Sequence, residues 1–111
     1  MPKQAVEKQA GKIIDVTLTG DYNVGDIIPF DGMVGVAVVS GLTGEVIAVE
    51  IEKVWTITAK TADAISIGTK LYWDATAEEL TITATDNTYA GKAVSAKAAA
   101  TAGTIDIKLN A

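Results

Sequence analysis

Apolar and polar positions alternate with a period of two along most of this chain, the pattern of strands with one buried face. Over residues 13–19, Ile14, Val16 and Leu18 share one face and Asp15, Thr17 and Thr19 the other. Residues 21–25 then read as a turn. Residues 26–30 lead into Asp31-Gly32, and an apolar run over 33–39 follows. An Asp-Gly pair between two apolar runs predicts a tight hairpin of type I′, which needs positive φ at both central residues. Pro29 cannot donate to a ladder, so it predicts an edge position or a bulge. After a turn at 41–44, alternation continues from Glu45 to Thr58. Ile47, Val49, Ile51, Trp55 and Ile57 share one face with Lys53, while Glu50, Glu52, Thr56 and Thr58 share the other. A strand this long is expected to bend between two parts of a barrel.

Residues 59–68 form the best candidate for a short helix or a turn, and the fold has room for at most one helix, near 61–66. Residues 70–73 form a short strand and 74–79 a turn. Leu80, Ile82 and Ala84 then alternate with Thr81, Thr83 and Thr85. A turn at 86–88 precedes an Ala-rich strand over 90–98, where alternation outweighs the helix propensity of Ala. A turn at 100–103 leads to a closing strand, 104–109, with Ile105, Ile107 and Leu109 inward. A faint repeat runs through this order. Val24-Gly-Asp-Ile-Ile-Pro-Phe-Asp31 matches Ile67-Gly-Thr-Lys-Leu-Tyr-Trp-Asp74, and Gly35-Val-Ala-Val38 matches Gly91-Lys-Ala-Val94. The predicted fold is all-β: one small single-domain barrel of two related β-meanders over residues 12–111, preceded by a polar N-terminal arm, residues 1–11.

Composition narrows the chemistry. The 111 residues make one domain and can bury roughly 65% of the unfolded surface. Cys, His and Arg are absent, and nine Lys face fourteen Asp plus Glu for a net charge of -5. Thiol and imidazole catalysis and the usual zinc, copper and iron sites are therefore excluded. An acidic chain without Arg also lacks the footprint for a phosphate backbone, so no nucleic-acid partner is expected. The polar first twelve residues are no secretory signal, and the longest apolar stretch, 33–39, is far too short for a membrane helix. The expectation is a soluble protein made in a cytoplasm, with no membrane partner.

No motif supplies a catalytic, cofactor or metal site. Gly11-Lys12 and Gly91-Lys92 lack the earlier Gly of a phosphate loop, and no Gly-x-Gly occurs. Glu50 and Glu52 could form an acid/base or cation pair, but a solvated sheet face is favoured because no third group converges on them. The same holds for Glu78 and Glu79 in a turn. Asp21, Asn23 and Asp26 loosely resemble a calcium loop, but Gly25 comes one place early and Gly32 stands where the closing Glu belongs. Tyr72 and Trp73 point to opposite faces of a strand, which favours core and interface packing over a sugar platform.

The segments Ser66-Ile-Gly-Thr-Lys-Leu-Tyr-Trp-Asp74, Gly35-Val-Ala-Val38, Ala90-Gly-Lys-Ala-Val94 and Gly103-Thr-Ile-Asp-Ile-Lys-Leu-Asn110 resemble a family of small phage capsid decoration, or cement, proteins. The resemblance covers nearly the full length. Members also circulate as a phage domain of unknown function or as a "predicted RecA/RadA-type phage recombinase". That label needs a phosphate loop and a large helix-flanked parallel sheet, and this sequence has neither. The resemblance implies a non-enzymatic structural β-barrel of a phage or prophage. Such a protein would sit on the outer surface of the head as a homotrimer, with the major capsid protein as partner. It would be located in the virion, passing through the host cytoplasm during assembly, and would need no cofactor. A virion-associated carbohydrate- or host-binding module is the runner-up, and an enzyme ranks last. Candidate capsid or subunit contacts are Lys3, Gln4, Val6 and Lys8 in the arm. Val46, Ala48 and Val54 join them as an outward apolar strip on the 45–58 strand.

Overall fold

Strands form where β-branched residues alternate with polar ones, and Gly-containing turns separate them. The computed structural model describes residues 11–101 and 103–111, so all but the last residue of the expected arm lies outside the described residues. In chain order the strands are β1 (Ile13–Thr17), β2 (Ile27–Pro29), β3 (Val34–Ala37), β4 (Val46–Glu50), β5 (Val54–Thr58), β6 (Lys70–Asp74), β7 (Glu79–Thr81), β8 (Thr88–Ala93) and β9 (Thr104–Leu109). They pair antiparallel into a four-stranded sheet, β1-β4-β3-β2, and a five-stranded sheet, β5-β9-β8-β6-β7. The expected all-β fold is present, and the described residues contain no helix; 61–62 is a turn.

The faint sequence repeat is a structural one. The Gly25 N–H donates to Ala37 O and the Gly68 N–H to Ala93 O, both at 2.8 Å. Both glycines need their missing Cβ, with φ of 88° and 91°. Tyr22 and Gly41 exchange two backbone hydrogen bonds, and Ile65 and Lys97 do the same. The Ile51 N–H donates to Lys12 O as the Leu109 N–H donates to Lys53 O. Strand for strand, β1-β4-β3-β2 corresponds to β5-β9-β8-β6, and β7 is an addition to the second unit. That addition lets the larger sheet curl until its two edges meet. Ala59, just past β5, forms a parallel bridge to Leu80 of β7, and the Lys60 N–H donates to Leu80 O at 2.8 Å.

Local details depart from the sequence pattern in four places. The 45–58 run is two strands in different sheets, not one bent strand. Lys53 turns the chain between them with φ 84°, and Trp55 Nε1 donates to Glu52 O across the bend. At the Asp31-Gly32 hairpin only Gly32 has positive φ, 81°, so the turn is not type I′. Strand β7 stops at Thr81, whose hydroxyl donates to Asp63 Oδ2. Ile82 therefore leaves the ladder and is 45% exposed, although it alternates in step with the buried Leu80 in the sequence. The Ala-rich strand ends at Ala93, and Val94 is already in a bend whose N–H donates to Asp106 O.

Two apolar clusters make up the interior. One lies on the first sheet and contains Leu18, Ile28, Ala37, Ile47 and Val49. The other belongs mainly to the second sheet, but Val34 and Val36 of β3 enter it beside Leu71, Trp73 and Ile107. Strand β3 is thus buried on both faces, which explains its unbroken apolar run. Pro29 lies in β2, an edge of the first sheet, where its missing donor costs no ladder bond.

Candidate functional site

On one face of β1 and β4, Ile13, Asp15, Thr17 and Val46 are exposed. Register places Thr17 opposite Val46, Asp15 opposite Ala48 and Ile13 opposite Glu50. Val46 is 64% exposed and Ala48 half-buried. Val54 is also well exposed, but on β5 of the other sheet. The strip read along one strand is therefore divided between two sheets. Lys3, Gln4, Val6 and Lys8 fall outside the described residues.

Glu50 does not lie on a solvated face, as its alternation with Glu52 implied. It is 5% exposed, while Glu52 is exposed. The cause is its place in the ladder, with Ile13 on one side and Val36, which the second sheet covers, on the other. The turn at Lys53 folds the ammonium back, and Lys53 Nζ lies 2.8 Å from Glu50 Oε1. That oxygen makes no hydrogen bond of good geometry, so the pair is held by charge at close range. An acid/base role would need a second carboxylate at the same place, and Glu52 is not there.

Between the two units, a groove of about 470 Å³ runs past β2 and β5. Ile27, Pro29 and Ile57 supply half-buried apolar surface, and the exposed Asp21, Asp26 and Glu78 stand around it. Two of these carboxylates brace turns. The backbone N–H and the hydroxyl of Thr43 donate to Asp21 Oδ1 at 2.8 and 3.0 Å. These bonds, the backbone one foremost, hold the Asp21 carboxyl below its usual range. Asp26 Oδ2 accepts the Asn23 N–H at 2.8 Å. Asp21 and Asp26 thus act as turn caps, which accounts for the calcium-like spacing. Among the described residues no group of three or more acidic side chains is placed to hold a metal ion.

The aromatics offer no open platform. Trp73 is 8% exposed in the core. Tyr72 meets Tyr89 edge to face, with ring centroids 5.6 Å apart. The Tyr89 hydroxyl donates to Ala111 O at 2.7 Å, and burial raises its pKa above the usual phenol value.

What remains is a two-sheet body with exposed apolar positions and, among the described residues, no group of acidic side chains placed to hold a metal ion. A family model for phage cement proteins matches residues 8–109. The chain belongs to that family. No curated protein and no solved structure matches it. As a phage cement protein, it has a structural role in association with the capsid. The family segment begins at Lys8, inside the polar N-terminal stretch. One residue of this cement protein that the alternating pattern did not single out is Asn110. Its side chain joins the end of the second sheet to the backbone of Val34 and Ile51 in the first unit. The only sequence signal is an amide placed directly after an inward apolar strand.

Proposed function

We propose that this protein decorates the outside of a phage head, binding the major capsid protein as a homotrimer and stabilising the shell. Its membership of the cement family over residues 8–109 carries this reading. The surface is consistent with it, because Val46, Ala48 and Val54 leave apolar area for a partner to cover. Closed cyclic symmetry gives a finite cap rather than an open polymer. The N-terminal stretch joins the contact, and the protein passes from the host cytoplasm to the virion during assembly.

Occupancy on purified heads tests the reading. Copies grouped in threes at three-fold positions are expected, and heads stripped of them should break open at lower temperature. Absence from virions, or isolated single copies away from three-fold positions, would overturn it.

A further inference from the structure

Charge is unevenly divided along the chain. Residues 1–12 hold three Lys and one Glu, a net of +2, while residues 13–111 hold six Lys and thirteen Asp plus Glu, a net of -7. The groove between the two units concentrates part of that negative charge. Asp21, Asp26 and Glu78 stand beside the apolar surface of Ile27, Pro29 and Ile57, and no lysine among the described residues lines the groove. The hydrogen bonds to Asp21 and Asp26 come from Thr43 and Asn23, which are neutral, so neither charge is cancelled among the described residues. Glu78 is held at φ 55°, in the left-handed region that a non-glycine residue occupies at a cost.

We propose that the N-terminal segment, residues 1–10, of one copy docks in this groove on a neighbouring copy. Lys3 and Lys8 bracket Ala5 and Val6, which matches carboxylates placed around an apolar surface. The neighbour is the occupant we commit to, and this choice rests on the trimer reading above, in which copies lie side by side. The segment joins the body at β1, and the groove runs along β2, the opposite edge of the four-stranded sheet. Ten extended residues reach about 33 Å, so the segment's own groove is within range as well, and the test below separates the two. Between copies the contact is head-to-tail, and it makes a finite ring where the rotation relating the copies closes.

The absence of Cys makes a direct test available. Two single-cysteine variants are made, Val6→Cys in the segment and Thr58→Cys in the groove, one of them carrying a size tag. They are mixed free of capsid and mildly oxidised. The mixed disulfide should exceed either self-pair by about tenfold, because docking raises the effective concentration. Adding Glu78→Lys to the Thr58→Cys variant, or raising salt, should remove most of that excess. Mixed and self-pairs in equal amounts would overturn the proposal. So would a double variant whose disulfide closes within one chain. Because no heads are present, failure here leaves the capsid reading standing, and failure to find the protein on heads leaves this result standing.

Discussion

The side chain of Asn110 pairs with the backbone of Val34 in both directions, as a neighbouring strand residue would. Val34 N–H donates to Asn110 Oδ1 at 3.0 Å, and Asn110 Nδ2 donates to Val34 O at 2.7 Å. The same nitrogen donates to Ile51 O at 2.8 Å. One amide from the end of the second unit thereby ties down two places in the first. Asn110→Ala should destabilise the protein by about 2–4 kcal/mol in urea unfolding, because partly buried backbone groups lose their partners. Asn110→Asp should be nearly as harmful near neutral pH, since a carboxylate cannot donate to the two carbonyls. It should recover part of the loss in acid, where the protonated form donates once. Wild-type stability in either variant would refute this role.

Gly35 and Gly91 occupy equivalent positions in the two units and should respond differently to a methyl group. A Cβ on Gly91 would lie 2.2 Å from the backbone oxygen of Lys108, and its φ is 145°. Gly91→Ala should cost about 3 kcal/mol or more. A Cβ on Gly35 would meet the side chain of Val49 at 2.3 Å, without a positive φ. Gly35→Ala should cost about 1–3 kcal/mol. Adding Val49→Ala should return part of that loss, measured in a double-mutant cycle. No second-site truncation should rescue Gly91→Ala.

Asp21 offers a pH test with a defined sign. Its pKa is depressed in the folded protein, so the Thr43 bonds stabilise the fold above the ordinary aspartate pKa. That contribution disappears as pH falls through the lower folded value. Thr43→Val keeps the backbone donor and removes the hydroxyl. It should raise the Asp21 pKa part of the way towards its usual range, read by a carbon NMR titration of the carboxyl group. An unchanged value would show that the hydroxyl contributes nothing.

The exposed valines Val46, on the first sheet, and Val54, on the second, should tolerate charge in the free protein and not on the head. Val46→Lys and Val54→Lys place a cation at positions already exposed, so unfolding midpoints should barely move. Head binding should weaken by at least about tenfold, or ~1.4 kcal/mol, for either variant. Deleting residues 2–9 should also weaken head binding while leaving the sheets folded. Undiminished binding by all three would remove these residues from the contact surface.

Much of the fold could be read from side-chain alternation, because burial on one face of a strand leaves a period-two record. The match of Val24–Asp31 with Ile67–Asp74 held down to individual hydrogen bonds, since turn glycines and inward apolar residues are what a repeated unit must keep. Glu50 could not be placed the same way. Its burial depends on the second sheet covering Val36, a contact distant in sequence. Ile82 continued the pattern on paper after Thr81 and Asp63 had ended the strand. The outward positions of Val46 and Val54 were legible, but not their assignment to separate sheets, because that rests on the backbone of the single residue Lys53.

The meeting of β5 with β7, together with Pro29 on the β2 edge, bears on life in a crowd. A protein that works in many copies side by side holds its sheet edges at high local concentration, where an open edge can recruit a strand from the next molecule and start a fibre. Here the β2 edge is short and carries Pro29, and the chain just past β5 is tied to β7 through the Ala59–Leu80 bridge. Strand β1 remains an open edge, so a crowded neighbour's strand has its opening there, while the other edges of the sheets are shortened, interrupted or partly closed.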